Sequence, residues 1–143
     1  MITADVVKTL RGLTKDLPTV TCREDVAYVH ARWFVFEVPK AAIGPDVKIS
    51  NDFWSEEIPV WREAVPKEEG EYAQAIRTTV PNEDIPIIKL IAACGSARIH
   101  PSIFDAVSKE LPEVTFHLHS GELALVTIRS QGKLIGGVAQ IRV

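Results

Sequence analysis

Between Arg98 and Leu111 the apolar residues Ile103, Phe104, Val107 and Leu111 recur at helical spacing and form one stripe, leaving Asp105, Ser108 and Lys109 to face outward. Pro101 suits the first turn of that helix, where its missing N–H would have had no partner, and Pro112 ends it by disfavouring helical backbone at Leu111. Val114, Phe116 and Leu118 then alternate with Thr115, His117 and His119, the period of a half-buried strand. After a turn at Ser120-Gly121-Glu122, the apolar run Leu123 to Ile128 predicts a second strand. Leu134 to Val143 predicts a third, with Gly136-Gly137 marking a bulge or a close approach. This unit is one helix followed by a three-strand meander.

The first forty residues repeat that order. Residues 4 to 17 predict a helix with Val6, Leu10, Leu13 and Leu17 on one side and Lys8, Arg11 and Lys15 on the other. Thr3 is its expected N-cap, Asp5 suits the positive end of the helix, and Pro18 stops it. From Thr19 to Pro39 the chain reads as strands. Val20 and Cys22 begin a hairpin, Arg23-Glu24-Asp25 turns it, and Val26 to Val38 supplies two runs rich in Val, Tyr, Trp and Phe. The repeat is one of element order, not of residue identity.

The middle of the chain is less regular. Ala41 to Asp46 reads as a loop and Val47 to Ser50 as a short strand before a turn at Asn51-Asp52. Pro59 and Pro66 bracket a connector that runs into the charged stretch Lys67 to Glu71. Tyr72 to Val80 predicts a strand. Asp84 to Cys94 predicts a helix with Asp84 as cap, Pro86 in the first turn and Gly95 as stop, while its β-branched residues leave a buried strand as the alternative. The expected fold class is α+β: two to three helices packed on small antiparallel sheets, with the helix-plus-strand-meander repeated twice. One domain spans 1-143, its halves 1-50 and 72-143 joined by a connector at 51-71.

Bulk composition narrows the class without choosing a function. A chain of 143 residues, 46% hydrophobic and 24% charged, is ordinary for one globular core. No apolar run approaches the ~20 residues of a membrane-spanning helix. Met1 to Asp5 lacks the basic-then-apolar layout of a secretion signal, so a cytoplasmic protein with no membrane partner is expected. A net charge of −3 gives no global attraction to nucleic acid, but it leaves the Lys8, Arg11, Lys15 stripe as a local basic face. Cys22 and Cys94 form no C-x-x-C pair and are expected to be buried free thiols.

Candidate chemistry is sparse. His117 and His119 fall on one side of a strand, a spacing at which two imidazoles can share a metal, but no third ligand lies nearby in sequence. His30 and His100 are isolated, and Glu56-Glu57 and Glu68-Glu69 read as solvated loop charges. Trp33, Trp54 and Trp61 can stack on bases or partners, though core packing suits two of the three better. There is no Gly-rich phosphate loop, nucleophile elbow or zinc-helix motif, so neither an enzyme nor a cofactor is expected.

Three stretches carry a family resemblance. Pro59-Val60-Trp61-Arg62-Glu63-Ala64-Val65-Pro66-Lys67 resembles the Pro-flanked segment that connects domains in the bacterial DNA polymerase sliding clamp family. Ile99 to Val107 is similar to its strand-then-helix entry, and Val126 to Ser130 with Ile135 to Val143 is similar to its closing hairpin and terminus. The resemblance implies a DNA clamp-like domain in a reduced, single-domain form, several copies of which would close around duplex DNA with helices inward. It implies a processivity role in the DNA replication of a phage or other mobile element, as a homo-oligomer. Lys8, Arg11 and Lys15 would be its sequence-independent DNA contacts. Val138, Ile141 and Arg142 would belong to the surface that docks replication proteins. Ala139-Gln140 stand where the family has Met-Pro. That change, with the acidic balance, supports the alternative of a protein–protein interaction module that does not bind DNA.

Overall fold

The computed structural model describes residues 4–11, 19–23, 25–31, 34–45, 47, 69–119 and 125–141. Lys15, the Pro59–Pro66 connector, the three tryptophans, the turn at 120–122 and Arg142 lie outside the described residues. The chain runs α1 (Ala4–Arg11), β1 (Thr19–Arg23), β2 (Val26–Ala31), β3 (Phe34–Pro39), a 3-10 turn at Lys40–Ala42, β4 (Glu71–Thr79), β5 (Pro86–Ala92), β6 (Gly95–Ile99), α2 (Pro101–Glu110), β7 (Val114–Leu118), β8 (Leu125–Ser130) and β9 (Lys133–Ala139). All nine strands join one antiparallel sheet in the order β1-β2-β3-β9-β8-β7-β4-β5-β6.

That architecture corrects the expected fold class. In place of two to three helices on small sheets, the described residues form a sheet-dominated domain in which two short helices lie against one continuous sheet. The segment read as a helix over 84–94 is the strand β5. Its apolar residues sit at positions that satisfy helical spacing, but they also fill both faces of a strand flanked by β4 and β6, and Ile87, Ile88 and Leu90 are all buried. Pro86 is the first residue of that strand, a position that tolerates its missing N–H.

The core lies between the helices and one sheet face. On α2, Pro101 occupies the first turn, Ile103, Ala106 and Val107 are buried, and the Leu111 N–H donates to the Val107 carbonyl at 3.0 Å to close the last turn. Phe104 stacks on Phe116 of β7 with ring centroids 5.1 Å apart. Val6, Val7 and Leu10 of α1 reach the same cluster, which takes in Val20, Val29, Phe36, Ile88, Ile99 and Ile128 from the sheet. Alternation along each strand thus sends one parity inward under the helices and the other to the opposite face.

Two local features fix the sheet's register. The β8–β9 turn places Gln131 at φ 52° and Gly132 at φ 78°, the pair of left-handed residues that lets a two-residue hairpin match strand twist. Within the same hairpin, Ile128 pairs with Gly136 and Arg129 with Leu134, so Ile135 is the extra residue of a bulge and is buried with the core. Gly136 is the close-approach point: a Cβ there would sit 2.5 Å from the Val35 carbonyl oxygen and 2.6 Å from a ring carbon of Phe36. Beyond β9, the Ile141 N–H donates to the Arg98 carbonyl at 2.7 Å, so the chain leaving β9 reaches the free edge of β6.

Because backbone blocks the added methyl, Gly136→Ala is expected to cost about 1–3 kcal/mol by overpacking, read as a lower urea midpoint with unchanged m-value.

Candidate functional site

On the sheet face opposite the helices, strand register lines up His30, Val35, Gly137, Thr127, His117 and Tyr72 as one row across β2, β3, β9, β8, β7 and β4. Threonine hydroxyls serve the imidazoles of this face. Nε2 of His30 lies 3.1 Å from the Thr21 hydroxyl, Nε2 of His117 2.8 Å from that of Thr115, and Nε2 of His119 2.9 Å from that of Thr127. His30, His117, Thr21 and Thr127 are buried, so these bonds answer the desolvation of each ring. Gly70, at φ 80°, leaves room for the His119 ring, since a Cβ there would lie 2.5 Å from its Cε1 atom.

The His117 imidazole is perturbed by its surroundings. Burial pushes its pKa below the ordinary histidine value and the Arg129 charge adds to that, while Glu69 and the Gly70 backbone oppose it. Its Nδ1 is shielded and has no hydrogen-bond partner, and the Tyr72 ring meets it edge-on at 6.3 Å. Both imidazoles of the suggested metal pair engage threonine through Nε2, and no group of three His, Cys, Asp or Glu is placed to hold a metal among the described residues. The arrangement is a hydrogen-bonded polar layer of histidines and threonines.

The layer ends at β4, where the same face becomes bare. Tyr72 is 65% exposed, Ile76 45% and Ile91 40%. Gln74 pairs with Ile91, which pairs with Ser96, while Ile76 pairs with Lys89, which pairs with Arg98. Register places all of these side chains on the parity opposite to Ala73, Ile88, Leu90, Ala97 and Ile99 of the core, so they form one outward surface over β4, β5 and β6. A concavity of about 510 Å³ lies elsewhere, between Val38, Pro39, Leu111, Leu134 and Ile135.

The other predicted site residues are dispersed. Lys8 is exposed on α1, whereas Arg11 is half-buried with its Nε shielded and unpartnered. The described helices expose both signs, Asp5 and Lys8 on α1 and Asp105 and Lys109 on α2. Asp105 in turn pairs with Arg77 of β4, whose guanidinium lies 5.7 Å from the Phe104 ring centroid. Val138 is fully buried against β3 and β8, so its side chain belongs to the core and not to a docking surface, while Ile141 is half-buried at the β6 edge. Cys22 is half-buried and Cys94 is exposed, which corrects the expectation of two buried thiols. The Cys94 thiol is pushed up in pKa, chiefly by its hydrogen bond to the Glu71 carboxylate.

Sequence reading missed the surface on β4 to β6 because it assigned β5 to a helix. Once β5 is a strand, the parity of Ile76, Lys89, Ile91 and Arg98 reveals it. No protein-family model, curated protein or solved structure matches the chain.

Since the folded state holds His117 neutral, the unfolded chain binds a proton first as pH falls through about 6.5, and stability drops until the lowered folded pKa is passed. The urea midpoint is therefore expected to fall between about pH 7.5 and about pH 5.5, and to fall less in His117→Gln.

Proposed function

We propose that the protein is a non-enzymatic protein-interaction module that docks a partner on the outward face of β4 to β6. The observation that carries this reading is the clustering of Tyr72, Ile76 and Ile91, the exposed large apolar side chains of these strands, on that single face. Scattered apolar residues are normal on any surface, but a contiguous set rimmed by polar groups is what an interface needs. Replication proteins are the partner class favoured by the resemblance in residues 99–107, 126–130 and 135–143. The cytoplasm is the favoured compartment, since the free thiols Cys22 and Cys94 suit a reducing one.

A second reading, sequence-independent binding of duplex DNA by a homo-oligomer, is supported by the exposed Lys8 on α1. It is the weaker of the two, because the described helices expose carboxylates, Asp5 and Asp105, as well as cations, and a mixed surface attracts phosphate less than a basic one.

A photoreactive amino acid at position 76 or 91, in the full chain and in cytoplasmic extract of its own host, is expected to trap a protein that the same group at position 109 does not. Solution mass by light scattering is expected to be unchanged by duplex DNA. A DNA-dependent mass that falls with rising salt and is lost in Lys8→Glu would instead establish the second reading. Absence of adducts at both positions would remove the first.

A further inference from the structure

We infer that Lys89 and Arg98 form a receptor for the carboxylates of an acidic partner segment whose apolar side chains rest on Tyr72, Ile76 and Ile91. The inference rests on the interaction-module reading and specifies the partner's chemistry. Lys89 and Arg98 are direct cross-strand neighbours on β5 and β6. The Arg98 carbonyl points away from β5, to the Ile141 N–H, so this is a pair without mutual backbone hydrogen bonds, the kind that brings side chains closest. Like charges directly opposite one another destabilise a sheet. Both residues are half-buried, and no carboxylate pairs with either among the described residues.

Nothing on these strands relieves the repulsion. Their only carboxylate, Glu71, has the opposite parity to Tyr72 and accepts the Cys94 backbone N–H. The outward face is therefore cationic at one row, with apolar and uncharged polar residues around it, within a chain whose net charge is −3. An anion seated between Lys89 and Arg98 would turn the unfavourable pair into a bridge, with charge-assisted hydrogen bonds from both side chains. The flanking residues select the source of that anion. Two isoleucines and one tyrosine offer poor stacking for successive bases but good contact for aliphatic side chains, which favours a polypeptide over a nucleic acid.

The test uses the full chain and three labelled probes read by fluorescence anisotropy: a short peptide alternating glutamate and leucine, the same peptide with glutamine for glutamate, and a short oligodeoxythymidylate. The acidic peptide is expected to bind, and its affinity to drop about tenfold in Lys89→Gln and in Arg98→Gln, the loss of one charge-assisted hydrogen bond. Lys89→Arg is expected to retain it. Relief of the like-charge pair is expected to raise the melting temperature of free Lys89→Gln by about 1–4 °C, so weaker binding would not reflect a damaged fold. Equal binding of the acidic and neutral peptides, or no binding of either, would overturn the inference. Tighter binding of the oligonucleotide, lost in the same variants, would overturn it in favour of phosphate recognition. Adducts at positions 76 and 91 alongside any of these failures would leave the interaction module standing with a partner of other chemistry. Failure of both experiments would dispose of the two together.

Discussion

Three residue pairs hold the two ends of this chain in one sheet. Phe34 faces Val138, Val35 faces Gly137 and Phe36 faces Gly136, and without them β1 to β3 would be a meander with no neighbour. Phe36 and Gly136 lie a hundred positions apart, so the seam must repay a large loop-closure entropy with only three residues per strand. It does so by close approach. The absent side chain at Gly136 lets the Phe36 ring lie against β9 backbone, and both helices then cover the joined face. Dependence on such distant pairings is what slows folding in sheet-rich domains.

Much of this was legible in the residues and some was not. The helix at 101–110 was, because Pro101, Pro112 and the Ile103–Val107 stripe all act locally. So were the strands around Tyr28, Phe36, Phe116 and Ile128, whose alternation or β-branching is self-contained. Segment 84–94 was not, because a strand with apolar residues on both faces has no period of its own. What makes Ile87 and Ile88 a strand is the presence of β4 and β6 on either side. The single sheet was equally hidden. Nothing local in Phe34-Val35-Phe36 says that the partner is Gly136 and not a nearer strand. As for the surface, the basic stripe was read from one helix alone, and its meaning changed once α2 brought Asp105 into the same layer.

The polar face of the sheet follows a different economy from the core face. Each buried imidazole has a hydroxyl within reach, a short side chain that can donate or accept and so suits either tautomer. His117 shows how far this goes. With Nε2 engaged and Nδ1 shielded, burial favours the neutral ring over the charged one. That combination makes the layer a source of specificity for the folded state near neutral pH more than a source of chemistry.

The same row explains where a docking surface can lie. From His30 to His117 the outward parity is withdrawn from water, and one strand further, at Tyr72, it emerges. A side chain facing a covered neighbour on one side and solvent on the other is already partly ordered: Tyr72 meets His117 edge-on, Ile91 stands on a strand paired along both edges, and Ile76 stands on a strand paired there to β5. A partner that covers them would lose little further entropy in fixing them, so a larger share of the burial free energy would remain as affinity. On α1, by contrast, the exposed lysine projects a long flexible stem from the surface of a helix of eight residues, and ordering it on a ligand would consume much of what one phosphate contact returns. Rigidity, more than charge, therefore separates the strand surface from the helix surface as a site of recognition.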